Sequence, residues 1–152
     1  MSRIGVISDT HGLLRPQVFD VFSGADLILH AGDIGDPEIL AQLNQIAPTE
    51  FIKGNVDTAK WAEGWPGRKL VQFENYKILL IHNIDDLNFD PAVKKPDVVI
   101  SGHSHKPSIA IKDGILFLNP GSAGRRRFRL PVTVAILKIG NRIVPEIVSL
   151  LE

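Results

Sequence analysis

The chain contains no cysteine among its 152 residues. That excludes disulfide frameworks, thiolate metal sites and cysteine nucleophiles together. Any bound metal must be held by nitrogen and oxygen. An excess of charge is missing too: 17 lysine and arginine residues balance 17 aspartate and glutamate residues, so no global field draws the protein to nucleic acid or an anionic membrane. No apolar run reaches spanning length, and residues 4–7 are too short for a signal-peptide core. A soluble cytoplasmic protein without a membrane partner is the expectation. Repeats, low-complexity tracts and interdomain linkers are also lacking. Residues 1–152 are therefore expected to form one domain, large enough to bury roughly two-thirds of its unfolded surface.

What is present divides into two halves. Residues 3–8, 26–30 and 49–53 read as buried strands. Between them, 13–23 reads as a short helix with Leu14, Val18, Phe19 and Phe22 on one face, and 37–46 as a helix opened by Pro37. Strands alternating with helices of about ten residues imply right-handed βαβ units and parallel pairing. The second half is rich in hairpins: 69–73 with 77–82, 109–112 with 115–118 around Asp113-Gly114, and 132–139 with 143–150 around Gly140-Asn141-Arg142. The expected fold is α/β, with two mixed β-sheets packed as a sandwich flanked by helices.

Four of the five histidines fall in three short motifs, Asp9-Thr10-His11-Gly12, Ile81-His82-Asn83 and Gly102-His103-Ser104-His105. Gly32-Asp33 and Gly54-Asn55-Val56-Asp57 lie between them. Most of these groups follow an apolar run that reads as a strand. A buried strand that ends in such a residue carries its side chain to the rim of a sheet, where several can converge. Imidazole and carboxylate are ligands of zinc, manganese and iron. Seven candidates (Asp9, His11, Asp33, Asn55, His82, His103 and His105) are too many for one ion and suit two that share a carboxylate. Asp9 and Asp33 carry two negative charges, so two divalent cations leave an excess of two positive charges. Such a centre suits attack on a phosphate ester.

In order and spacing, Asp9-x-His11, Gly32-Asp33, Gly54-Asn55-x-Asp57, His82 and Gly102-His103-x-His105 resemble the calcineurin-like metallophosphoesterase superfamily. The compact chain is most similar to its small bacterial and archaeal phosphodiesterase branch, a relative of the retromer sorting subunit. Asn119-Pro120-Gly121-Ser122 matches a loop of that branch. The resemblance implies that Asp9, His11, Asp33 and His105 hold one metal, and that a bridging Asp33 with Asn55, His82 and His103 holds the second. It also implies a bridging water or hydroxide as nucleophile, Asn55 and His82 as catalytic residues, Asn55 as a phosphate contact, and manganese as the preferred ion. The ligand set also accepts zinc, iron, cobalt or nickel.

Two positions depart from the family pattern. Val56 stands where monoesterases of the superfamily place a histidine that protonates the leaving group, a contribution worth about 10²–10⁴-fold. The fourth motif reads His82-Asn83-Ile84 rather than His-Gly, which bears on substrate orientation more than on metal binding. Val56 is compatible with phosphodiesterase activity on a small substrate. The alternatives are a non-catalytic scaffold of the same fold, or a metal-dependent nuclease with the basic run 125–129 as its backbone grip. Nucleic acid is less favoured by the zero net charge, and homo-oligomers remain open. Arg125 is the substrate contact expected from that run. His30, within an apolar run, reads as a structural hydrogen-bonding histidine. Asp57 reads as a turn residue or as a partner orienting a ligand histidine. Asp33 and Asp36 also suit turn and cap roles before Pro37, and Trp61 and Trp65 suit a lid, a dimer contact or plain packing.

Overall fold

A computed structural model describes residues 1–87, 95–127 and 129–151. Phe128, within the arginine run, lies outside the described residues. The strands are β1 (Ser2–Ile7), β2 (Leu27–His30), β3 (Thr49–Phe51), β4 (Arg68–Phe73), β5 (Tyr76–Ile81), β6 (Val98–Ile100), β7 (Ser108–Lys112), β8 (Ile115–Asn119), β9 (Thr133–Ile139) and β10 (Ile143–Ser149). The helices are α1 (Gln17–Val21) and α2 (Pro37–Ile46). One sheet runs β10-β9-β1-β2-β3 and the other β4-β5-β6-β8-β7. Both are mixed: β1, β2 and β3 are parallel while β9 and β10 are antiparallel, and β5, β6 and β8 are parallel between antiparallel β4 and β7.

The two sheets face each other across one apolar layer. Ile4, Val6 and Leu29 from the first sheet meet Ile78, Leu80, Ile100 and Leu118 from the second, all essentially inaccessible to solvent. Alternating side chains place Ile7, Ile28 and Ile136 on the opposite face of the first sheet, where Val18 and Phe22 of the α1 segment and Ile39 and Leu43 of α2 cover them. Among the described residues both α-helices lie on this side. Leu79, Ile81, Val99 and Ile115 form a smaller cluster on the outer face of the second sheet with Leu87 and Phe117.

The three hairpins and the second helix lie where the sequence places them. Asp36 caps α2, accepting the Glu38 N–H at 2.9 Å, and Pro37 occupies its first turn. The helix expected over 13–23 shrinks to Gln17–Val21. The chain after His11 is spent on a turn (Leu13 N–H to the Thr10 carbonyl, 2.9 Å) before Pro16 starts the helix. Phe19, expected on the core face, is exposed. The third strand closes at Phe51, and Lys53 donates its N–H to the Pro66 carbonyl at 2.8 Å instead. No described helix is long and apolar enough to cross a membrane. Trp65 packs edge-on against Phe51 at 4.9 Å between ring centres, and Trp61 leans on Trp65 at 5.0 Å.

Candidate metal centre

The segments that follow β1, β2, β3, β5 and β6 bring all seven expected residues to one rim of the sandwich. Two groups form: Asp9, His11 and His105, and Asp33, His82 and His103, with the donor atoms of each group within 4.8 Å of one another. Asn55 joins the second, its Oδ1 3.3 Å from His103 Nδ1. The groups abut, because His11 Nε2 lies 3.6 Å from Asp33 Oδ2 and His82 Nε2 lies 3.9 Å from Asp9 Oδ1.

The backbone is bent to make this possible. Asp9, His11, Asp33, His103 and His105 have φ of 55°, 47°, 55°, 68° and 64°. Non-glycine residues enter this left-handed region rarely, at a cost of order 1–3 kcal/mol each, and chiefly where function demands it. Only Glu74 and Asp113, both in hairpin turns, share it among the described non-glycine residues. Gly12 and Gly32 share the left-handed region, at φ of 83° and 103°, whereas Gly54 and Gly102 provide clearance. A Cβ on Gly54 would sit 2.2 Å from Asp33 Oδ1, and one on Gly102 would sit 2.6 Å from Asp9 Oδ2.

Each carboxylate is gripped on one oxygen and left open on the other. Asp9 Oδ2 accepts from Ser8 Oγ at 2.7 Å and from the His103 N–H at 3.1 Å. Asp9 Oδ1 is buried without a hydrogen bond, though His105 Nε2 and His11 Nε2 stand 3.5 and 3.7 Å away. Asp33 Oδ1 accepts the Val56 N–H at 2.9 Å while Oδ2 faces His82 Nε2 at 3.1 Å. That contact is close but not aligned as a hydrogen bond, since His82 Nε2 is itself without a partner. His82 Nδ1 donates to the Ala31 carbonyl at 2.8 Å, which turns Nε2 toward the centre.

Burial and charge work against each other here. Burial disfavours ionised Asp33, but His82 and the Val56 N–H prevail and hold its carboxyl down at about 2. Burial likewise pulls His82 down, yet Asp33 and the Ala31 carbonyl raise it above the usual imidazole range. His105 is lowered by burial, against the pull of Asp9 and with help from the Arg127 guanidinium.

Asp9 Oδ1, His11 Nε2, His82 Nε2 and His105 Nδ1 are buried polar atoms without partners. An orphaned buried carboxylate oxygen costs at least about 1–3 kcal/mol, and this one stands with three partnerless imidazole nitrogens in adjoining groups, all calling for partners. Divalent cations fit this nitrogen and oxygen donor set.

A surrounding shell fixes the loops. Asp57 makes no hydrogen bond or ion pair with a histidine among the described residues: its carboxylate accepts the N–H groups of Ile34, Gly35 and Gly54 at 3.0, 2.9 and 2.9 Å, tying the Asp33 loop to the Asn55 loop. His30 is structural, as expected. Gly32 N–H donates to its Nδ1 at 3.1 Å, so Nε2–H faces Thr10 Oγ1 at 3.0 Å, and Thr10 donates to the Ile34 carbonyl at 2.9 Å. Burial drives His30 down to about 4 despite nearby Asp9 and Asp57. Sequence reasoning assigned no task to Ser8, Asn119 or Ser122. Asn119 Nδ2 donates to the Gly102 carbonyl and to Ser104 Oγ, bracing the His103 loop, and Ser122 Oγ donates to the Asp9 carbonyl. The Asn-Pro-Gly-Ser string was the available signal. Arg125 is exposed and makes no side-chain hydrogen bond or ion pair among the described residues; of the arginine run it is Arg127 whose charge reaches His105.

A family profile described as the calcineurin-like phosphoesterase superfamily domain matches residues 2–142. A probable metallophosphoesterase of Methanothermobacter thermautotrophicus is 37% identical, covering 95% of this chain and 91% of the relative. A predicted phosphoesterase from Streptococcus pneumoniae shares the fold at a TM-score of 0.74 and 25% identity, covering 98% of this chain and 90% of its own. Vps29 of Entamoeba histolytica, solved in complex with zinc, aligns at a TM-score of 0.72 and 24% identity over 98% of this chain and 99% of its own. The chain belongs to the calcineurin-like phosphoesterase superfamily.

Proposed function

We propose that this phosphoesterase-family protein is a dinuclear metal-dependent phosphodiesterase acting on small substrates. The observation that carries the reading is the set of four buried, partnerless donor atoms in two adjoining ligand groups. Asp9, His11 and His105, with Asp33, would hold one divalent ion; Asp33, Asn55, His82 and His103 would hold the other. Bound there, two such ions supply Lewis acidity toward phosphate oxygens and activation of water.

The chain's own residues set the rest. Asp9 and Asp33 bring only two negative charges against two divalent ions, so the centre stays attractive to an anionic ester. The Ala31 carbonyl fixes the His82 ring so that Nε2 faces inward. Asn55, exposed at the rim beside His103, would donate its amide to a phosphate oxygen. Val56 offers no proton for a leaving group, and its exposed side chain follows the N–H that grips Asp33. Diesters with good leaving groups are therefore favoured over monoesters with poor ones. Manganese is the proposed ion and the cytoplasm the proposed compartment. A pure scaffold, the alternative suggested by the likeness to Vps29, gives no reason to keep seven donors and five strained backbones. Metal-stripped protein should cleave bis-p-nitrophenyl phosphate only after manganese is restored. Equal cleavage without manganese, or none with it, would overturn the reading.

A further inference from the structure

Beside the second ligand group a cleft of about 370 Å³ opens outward from Asn55, His82 and His103. That volume lies in the range of small-molecule sites, roughly 300–1,000 Å³. Two cations, Lys53 and Arg68, line it. Lys53 lies on the loop that carries Asn55, and Arg68 on a strand paired with the one that leads into His82. Lys53 immediately precedes Gly54-Asn55, and its N–H bond to the Pro66 carbonyl at 2.8 Å lays it alongside the segment leading into Arg68. Arg68 opens β4 in register with Ile81, the neighbour of His82. Both side chains are exposed. Neither is ion-paired among the described residues, where the lysine and arginine bridges are Lys69–Glu50 and Lys138–Glu146. Asp86 lines the same cleft and is the one acidic group there among the described residues.

We infer that Lys53 and Arg68 form a subsite for a second phosphate, carried on one arm of the diester that the metal centre cleaves. The inference rests on the phosphodiesterase reading and names its substrate class: small diesters bearing an additional terminal phosphate. A guanidinium fork binds phosphate oxygens in pairs, and an ammonium adds a point charge beside it. Two unpaired cations thus share this cleft with Asn55, His82 and His103. The metal centre takes the scissile phosphate, and the cleft takes the arm.

Two substrates differing only in the terminal phosphate test this: thymidine 5′-(p-nitrophenyl phosphate) with and without a 3′-phosphate. The manganese-loaded wild type should show at least a tenfold higher kcat/KM with the 3′-phosphate present. In Lys53→Gln/Arg68→Gln, checked for folding by its Tm, that ratio should fall close to one, while Lys112→Gln keeps it. A wild-type ratio near one, or a ratio retained in the double variant, overturns the subsite. If the wild type cleaves neither compound nor bis-p-nitrophenyl phosphate, the phosphodiesterase reading fails by itself. Calorimetric titration with thymidine 3′,5′-bisphosphate and thymidine 5′-monophosphate then decides the subsite. Tighter binding of the bisphosphate that disappears in Arg68→Gln supports it, and equal binding of the two overturns it.

Discussion

Asp33 and His82 meet at 3.1 Å across the middle of the candidate centre, and the backbone holds each from behind: the Val56 N–H on Asp33 Oδ1, the Ala31 carbonyl on His82 Nδ1. Their facing atoms are thus fixed before any ligand arrives. Preorganisation of this kind makes a metal site selective for geometry, because the protein does not reorganise to bind.

Removing a ligand from the Asp33, His82 and His103 group should be decisive for activity and mild for the fold. Asp33→Asn keeps the shape, and His103→Ala trims an exposed ring. Each is expected to lower diester hydrolysis by about 100-fold or more, since even outer-shell partners are worth 10–100-fold. Unfolding of His103→Ala should stay within about 0.5 kcal/mol of the parent. Paired kinetics and thermal melts check both halves, and full activity in either variant would contradict the assignment.

Asp57 should behave differently. Its carboxylate closes three backbone N–H bonds between two ligand loops while making no hydrogen bond or ion pair with a ligand side chain among the described residues. Asp57→Ala leaves three amides to find water, a loss of roughly 2–4 kcal/mol, and metal affinity should drop about 10–100-fold. Denaturant melts and manganese titration of the same variant measure the two. A stable variant with unchanged affinity would show that the loops hold themselves.

His30 gives a pH signature. Its folded value of about 4 lies below the ordinary 6.5, so the unfolded chain binds the extra proton and the folded one resists it. The stability contribution is whole above about pH 6.5 and is lost as pH falls toward 4, by about 3 kcal/mol. His30→Gln should be less stable at neutral pH yet lose less between pH 6.5 and 4. Metal-free protein of both forms, melted across that window, gives the comparison; parallel curves would contradict it.

Val56 marks the missing proton donor. Val56→His is expected to raise cleavage of phenyl phosphate, whose leaving group needs a proton, by about tenfold or more. Bis-p-nitrophenyl phosphate should respond little. An unchanged rate on phenyl phosphate would mean that leaving-group protonation is handled by another group.

Much of this was legible in the sequence because it depends on local rules. Asp36-Pro37 marks a helix start, Asp113-Gly114 a hairpin, and apolar runs ending in Asp or His mark strand ends. The short α1 was less legible, since Val18, Phe19 and Phe22 keep a helical spacing that ignores the turn after His11. The five left-handed ligand residues carry no mark either. Neighbouring glycines suggest that the turns are theirs alone, whereas the ligands share the left-handed conformation with Gly12 and Gly32, and Gly54 and Gly102 leave room. Arg68 escaped notice because only the β4–β5 register sets it beside His82. Asp57 is legible as a turn residue but not as a clasp, because its three partners lie on two loops.

The most direct test adds manganese stepwise to metal-free protein while following hydrolysis of bis-p-nitrophenyl phosphate. Two adjoining ligand groups predict activity that climbs to a plateau at two ions per chain. Activity complete at one ion, or indifferent to manganese, would contradict the dinuclear centre.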